Sequence, residues 1–429
     1  MIPHKKKLEF LSYQKHLIVL LFFFFPISLL AQDTLKLNMV ETDSLFLTKN
    51  LDLLAQKYKM DMNRANTIQA RLFDNPTLNT EWNLYNPNKK KFIDAGPAGE
   101  KIIALEQIIH LAGQRNKRVQ IAKENEIYGE FEFYDLLRTL KFELRNNFQT
   151  YYFNQLTIKK YDEQLNLLDT IIQALSFQSN KGNIPLKEVL RLKAVYFQLN
   201  TDRTELFADL MEAQKNLKTL LQTNAYLDLK FSPNEQEKYK LLGLKVDSLL
   251  QKGIQNRPDL KMAQSMVKQS ELNYALQKRL AIPDMRIGGI YDQAGSYISQ
   301  YSGITIGLDL PVWNRNQGNI KMAKANQDYM STRYKNKNNE VGNEVLSTYL
   351  KLVQIDLEYK KVDTDFGEKF DEINDGFVTN FHKRNISMLE FVDFFESYNA
   401  SIMQINKLTE KRIKAYEELN YVIGEELFK

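Results

Sequence analysis

Only a few residues of this 429-residue sequence have the type and spacing to do chemistry. Glu390 and Asp393 stand three apart, so on a helix their carboxylates share one face. Glu188 and Arg191 repeat that spacing 202 residues earlier. Such groups can collect cations, pair across a contact, or serve as an ordinary solvated helix face. The ingredients for other chemistry are missing. The chain has 0 cysteines, which excludes disulfides, thiolate zinc sites and thiol nucleophiles. Beyond the N-terminal segment the histidines are His110 and His382, and no His-x-x-x-His pair exists for zinc. Met322, Met330 and Met388 are scattered, as packing residues are. Gly288-Gly289 lies in a strand pattern and not in a phosphate loop. No catalytic, cofactor or metal constellation emerges, so an enzyme is not expected.

The elements that must position these residues are mostly helical. Gly (17) and Pro (10) are sparse, and folds rich in tight turns need more of both. No proline lies between Pro97 and Pro185, and none follows Pro311. Proline breaks helix interiors, so both gaps can hold long helices. Leu137, Leu140, Leu144, Phe148 and Tyr151 follow helical three-and-four spacing. A helix over 116–177 would run about 90 Å at 1.5 Å per residue. It turns at Lys181-Gly182-Asn183 and returns to about Gln222. A second long helix from about Asn319 turns at Lys383-Arg384-Asn385 and returns as far as Leu427.

The two hairpins read as a duplication. Lys181-Gly182-Asn183-Ile184-Pro185 aligns with Lys383-Arg384-Asn385-Ile386-Ser387, and Glu188 with Glu390, at an offset of 202. Asp52-Leu53 and Pro76 align with Asp259-Leu260 and Pro283 at an offset of 207. The expected organisation is a first repeat over 32–235 and a second over 236–429, each a helix, a strand pair and a long hairpin.

The strand candidates alternate. Leu78, Thr80, Trp82 and Leu84 interleave with Asn79, Glu81 and Asn83. Met285, Ile287 and Tyr291 interleave with Asp284, Arg286 and Gly288, and Ile304, Ile306, Leu308 and Leu310 with Thr305, Gly307 and Asp309. The stretch 101–109 alternates more weakly. This is the pattern of a barrel wall, apolar outside and polar inside, and equally of half-buried soluble strands. Trp82, Tyr85, Tyr291, Tyr297, Tyr301 and Trp313 sit near the strand ends. Four strands cannot enclose a lumen, which takes about eight, so a barrel would be shared between chains.

Residues 1–31 read as a secretory signal, with Lys5, Lys6 and Lys7 before an apolar run containing Phe22, Phe23, Phe24 and Phe25, and Ala31 as a small residue for cleavage. That segment carries Lys5, Lys6, Lys7 and Lys15 against Glu9, so three of the five formal positive charges leave with it. The near-neutral remainder discounts nucleic acid as a partner. Mean hydropathy is −0.44, and no further run is long enough for a spanning helix. Any membrane crossing would use strands.

On these residues the sequence resembles the TolC-type outer-membrane efflux family. The resemblance spans about 35–427 and rests on Asn75-Pro76-Thr77-Leu78 entering the first strand, and on Gln107 through Gly113-Gln114-Arg115 leaving the second. It rests also on Arg257-Pro258-Asp259-Leu260, Ile282-Pro283-Asp284 and Leu310-Pro311-Val312. The stretch 105–115 is most similar to the heavy-metal branch, with Ala112-Gly113-Gln114-Arg115 where that branch usually has Gly-Gly-Lys-Arg. The lipidated members' N-terminal cysteine has no counterpart.

The resemblance implies a mainly α fold with a small β part. It implies a homotrimer with a 12-stranded barrel in outer-membrane lipid and a long periplasmic α-barrel. It also implies partnership with a periplasmic adaptor and an inner-membrane pump. The function implied is the outer-membrane conduit of a tripartite efflux system. A periplasmic adaptor would carry one hairpin and glycine-rich β-domains, and a secreted coiled-coil protein would show sustained heptads. Glu390 and Asp393, with Glu188 and Arg191, match the positions ringing the closed periplasmic aperture, where Arg191 and Arg384 would pair the acids. Lys181, Gly182, Asn183, Lys383, Arg384 and Asn385 become the tips that meet the adaptor. The segments 86–99 and 294–300 become extracellular loops.

Overall fold

The computed structural model describes residues 34–428 apart from 95, 97, 98, 232–234, 236, 242 and 363–365. The expected signal over 1–31 lies outside the described residues, and one of the expected repeat boundaries, 236, does as well.

The chain begins with β1 (Thr34–Leu37), α1 (Met39–Lys49) and α2 (Leu51–Ala70). Then come β2 (Thr77–Trp82), a small hairpin of β3 (Tyr85–Asn86) and β4 (Lys91–Phe92), and β5 (Lys101–Ile109). The first long hairpin is α3 (Gln114–Asn180) and α4 (Leu186–Leu221). After β6 (Tyr226–Leu229) the order recurs as α5 (Val246–Asn256), α6 (Pro258–Arg279), β7 (Met285–Asp292) and β8 (Tyr301–Leu308). The second hairpin is α7 (Gln317–Lys361), α8 (Phe366–His382) and α9 (Met388–Ile423). At 67 residues, α3 is about 100 Å long at 1.5 Å per residue.

The four longer strands form one antiparallel sheet in the order β2-β5-β7-β8, leaving β2 and β8 as its edges. The register explains the alternation read in the sequence. Leu78 pairs with Leu105, Leu105 with Gly289 and Gly289 with Ile304. Paired residues share a face, so Ile103, Leu105, Ile109, Ile287, Tyr291, Ile304, Ile306 and Leu308 fall on one side. Asn79, Glu81, Glu106, Arg286, Asp292 and Thr305 fall on the other. Among the described residues this apolar side is largely uncovered, with Ile304 82% exposed and Ile306 68%.

The duplication recurs in backbone detail. Each tip has one left-handed residue, Gly182 (φ 77) and Arg384 (φ 60). Each is closed by the same bond, Asn183 N–H to Gln178 O (3.0 Å) and Asn385 N–H to Asn380 O (2.9 Å). The returning helices end on left-handed Gln222 and Gly424, again 202 residues apart.

Two expectations need correction. The second hairpin's outgoing helix is not continuous from 319 to 382. The helix α7 stops at Lys361, Val362 is extended, and α8 starts at Phe366. The helix ends at the β-branched Val362, whose extended backbone forms its C-cap. The returning helix also ends at Ile423 and not at Leu427, because Gly424 adopts a left-handed C-cap. The parallel pairing of β1 with β6 was not anticipated, since four residues are too few to display a period.

Among the described residues, no helix is long and apolar enough to cross a membrane. The core runs along the hairpins. One cluster joins Leu144, Phe148 and Leu217 with Phe46 and Leu227. Another joins Val341, Leu352, Ile413 and Leu419. A third, toward the tips, joins Leu168, Leu192 and Val195 with Phe391 and Phe395.

Candidate functional site

The tips bring the expected residues together across the repeat. Arg191 Nη2 lies 3.5 Å from Asp393 Oδ1, so positions related by the 202-residue offset face one another. Both side chains are about half exposed, and solvent screening leaves such a pair about 0–1 kcal/mol. Glu390 has a different local task. Its Oε2 accepts from Ser387 N–H at 2.8 Å, while Ser387 Oγ accepts from Glu390 N–H at 3.2 Å. This capping box starts α9. The bond from the Ser387 backbone, with its hydroxyl, holds the Glu390 carboxyl below the ordinary glutamate range.

Glu188 occupies the equivalent first turn of α4, where Pro185 stands at the N-cap in place of serine. Lys181 Nζ sits 4.1 Å above the Phe177 ring. Arg384, expected to pair an acid, takes the left-handed position of its turn, and its N–H bonds Phe381 O at 2.9 Å. Asn183 and Asn385 close their turns a second time through side-chain bonds to Gln178 and Asn380. At the tips, chain reversal thus falls to the Gly-Asn and Arg-Asn pairs, Arg191, Glu390 and Asp393 carry exposed charge, and Glu188 is half-buried.

The opposite end of the helices holds a knot that the sequence reading missed. His110 is half-buried there, its side chain 15% exposed. Its Nδ1 lies 2.9 Å from Asp284 Oδ2, and its Nε2 lies 2.7 Å from Asp74 Oδ2 without hydrogen-bond alignment. Asp74 precedes β2, His110 follows β5 and Asp284 precedes β7, so one ring ties three strand ends. Gln114 adds bonds from Nε2 to Asp284 Oδ1 (2.9 Å) and to the Arg279 and Ile282 carbonyls. Arg279 returns the tie by donating to Ala112 O and Gly113 O.

Gly113 is required there. Its φ is 66°, and a Cβ would meet Arg279 Nη1 at 2.6 Å. Arg115 completes the corner by stacking on Phe73 at 4.0 Å and bonding Arg71 O. The spacing of Asp74, His110 and Asp284 gives no signal, because they lie in three separate sequence regions. His382 stays exposed beside the second tip.

Arg257-Pro258-Asp259-Leu260 is a buried ionic corner at the start of α6. Arg257 donates to Asp259 through Nε (2.9 Å) and Nη2 (2.6 Å), and also bonds Glu344. Arg138 and Lys337 approach Asp259 at 3.6 and 3.1 Å. Burial alone would raise the Asp259 pKa. The Arg257 bonds and charge, with Arg138 and Lys337, hold it instead well below the usual carboxylate range. Among the described residues no cluster of histidine and carboxylate ligands could hold a metal.

Residues 249–356, which contain this corner, β7, β8 and most of α7, match the model of the outer membrane efflux protein family. No curated protein sequence matches the chain. Solved structures share its fold at low identity. A structure of CusC, described with transmembrane channel formation, superposes with a TM-score of 0.72 at 16% identity, covering 90% of this chain and 92% of that one. The Campylobacter jejuni CmeC outer membrane channel gives 0.73 at 13%, covering 91% and 87%. The open state of the Neisseria gonorrhoeae MtrE outer membrane channel gives 0.67 at 15%, covering 91% and 89%. The family segment over 249–356 and the whole-chain superpositions agree: that segment is similar to the outer membrane efflux proteins, and the chain shares the fold of these channel structures.

Proposed function

We propose that three copies of this chain close their sheets into a 12-stranded outer-membrane barrel, continued in the periplasm by a barrel of the paired hairpins. The observation that supports this most is the four-stranded sheet with unpaired edges β2 and β8 and a largely uncovered apolar face. An open edge in lipid leaves backbone groups unsatisfied, and closure satisfies them. The assembly is a passive conduit, fed by an inner-membrane pump through a periplasmic adaptor, for drugs, metal ions or other small molecules. It performs no catalysis. The two halves, 32–235 and 236–429, act as structural repeats, and three copies supply six hairpins.

The tips Lys181-Gly182-Asn183 and Lys383-Arg384-Asn385 meet the adaptor, while Glu390 and Asp393, with Glu188 and Arg191, line the aperture. Three sets of carboxylates in a narrow mouth attract cations. The test has two parts. Native mass spectrometry in mild detergent should give a trimer, and a monomer with fully protected strand amides would sink the shared barrel. In planar bilayers, replacing Glu390 and Asp393 with Ala should abolish block by polyvalent cations while the trimer persists. Unchanged block and conductance would reduce both acids to a solvated helix face.

A further inference from the structure

The far end of the sheet, away from the helices, carries more structure than a connecting loop needs. Between β2 and β5 the chain folds a second, smaller hairpin. Tyr85 pairs with Phe92 and Asn86 with Lys91, and the Tyr85 and Phe92 rings lie 4.9 Å apart. Ile93 N–H bonds Leu84 O at 3.0 Å. Behind it, Asp94 is 3% exposed and accepts from Asn86 Nδ2 at 3.1 Å and from Gly96 N–H at 3.3 Å. Lys89 and Lys91 approach the same carboxylate at 3.8 and 3.5 Å, with their side chains more than half or about half exposed. Lys90 holds the left-handed turn position, φ 50. The hairpin is fastened to the sheet through Asn83 N–H to Glu100 O (3.2 Å) and Gln293 Nε2 to Gly96 O (2.6 Å).

This scaffold presents three consecutive lysines beside apolar side chains that the chain leaves uncovered. Leu84 is 73% exposed, Phe92 71% and Ile93 59%. Asp94 offsets one lysine charge and keeps the other groups in place. A small hairpin that carries three lysines and, on its exposed apolar residues, an aromatic and aliphatic surface complements an amphiphile with a phosphate head and acyl chains.

We propose that this hairpin binds a phosphorylated glycolipid of the outer leaflet, with Lys89, Lys90 and Lys91 on its phosphates and Leu84, Phe92 and Ile93 against its acyl chains. The inference rests on the outer-membrane reading above, which places this end of the sheet at the cell exterior. Function follows from it, because a lipid clasped at each protomer's rim would anchor the barrel's height and rotation in the leaflet.

The experiment uses the full-length trimer in detergent, titrated with bisphosphorylated lipid A, dephosphorylated lipid A and inorganic phosphate. Bisphosphorylated lipid A should bind, and the Lys89→Gln, Lys90→Gln, Lys91→Gln triple variant should lose about tenfold or more in affinity. Phe92→Ser with Ile93→Ser should lose affinity while leaving heat-resistant trimer mobility unchanged. Equal binding by wild type and triple variant would overturn the proposal, as would binding of inorganic phosphate alone. A photo-crosslinker at position 92 that captures a neighbouring protomer and no lipid would show that another copy covers this surface, and would also overturn it. Labelling of Lys90→Cys on intact cells separates the two readings. Failure to label from outside indicts the membrane placement, whereas labelling without lipid binding indicts only the glycolipid site.

Discussion

The two long hairpins share one order of elements yet are built from different residues. In the first, α3 runs unbroken for 67 residues, and its returning helix is packed through aliphatic Leu192, Val195 and Leu199. Its tip has Gly182 in the left-handed position and Pro185 at the N-cap, where no side-chain cap bond forms. In the second, the outgoing strut is divided between α7 and α8. Its end is held to α9 by rings: Phe377 on Phe394 (3.9 Å), Phe381 on Phe391 (4.3 Å), and Phe370 beside Tyr398 (5.3 Å). Its tip places Arg384 where the first has glycine, and a serine–glutamate capping box where the first has proline. The first hairpin is thus held by aliphatic packing and a continuous outgoing helix, the second by stacked rings and a divided one, and the Arg191–Asp393 pair joins the two near their tips.

The largest expected effect tests the aromatic clasp. Phe391 is 1% exposed, so Phe391→Ala should cost about 3–5 kcal/mol locally. Amide hydrogen exchange should report the loss over 366–423, with 114–180 retaining protection. Equal loss in both hairpins would mean that they form one rigid unit and that the contrast is false.

Next is the cap of α9. Ser387→Ala removes the acceptor for Glu390 N–H and should cost about 1 kcal/mol, read as faster exchange in the first turn. Pro185→Ala should have no such acceptor to lose, since Pro185 makes no side-chain cap bond.

Exchanging the turn residues sharpens the comparison further. Arg384→Gly should relieve a left-handed side-chain penalty and gain up to about 1 kcal/mol, whereas Gly182→Arg should lose about as much. Thermal unfolding of the purified protein would read both changes, and equal signs would refute the argument from φ.

The smallest effect is in pH. The folded state holds the Glu390 carboxyl below its ordinary range, so its contribution is complete above the ordinary glutamate pKa and is lost as pH falls through the depressed folded value. Exchange at the start of α9 should therefore quicken in mild acid, after correction for intrinsic rates. Glu390→Gln should flatten that dependence. A wild-type profile as flat as the variant's would show that the capping carboxylate adds nothing.

The sequence by itself determined the elements and most of the tips. Helical spacing, the proline gaps and the turn residues at 181–183 and 383–385 are local signals, and backbone sterics and side-chain periodicity act locally. The alternation of 77–82, 285–292 and 301–308 likewise comes from the two-residue strand period. The end of α7 at Lys361 was not legible, because propensity is a weak prior until packing decides.

Tertiary structure decided which distant residues meet. It placed β5 beside β7, paired β1 with β6, and gave His110 two carboxylates from other segments. It also set Asp393 against Arg191, 202 residues away. The Glu390 cap, by contrast, is a local Ser-x-x-Glu contact written in the sequence. The task of Asp393 depends on which donors the folded chain brings within reach, and no period along the sequence encodes that distance.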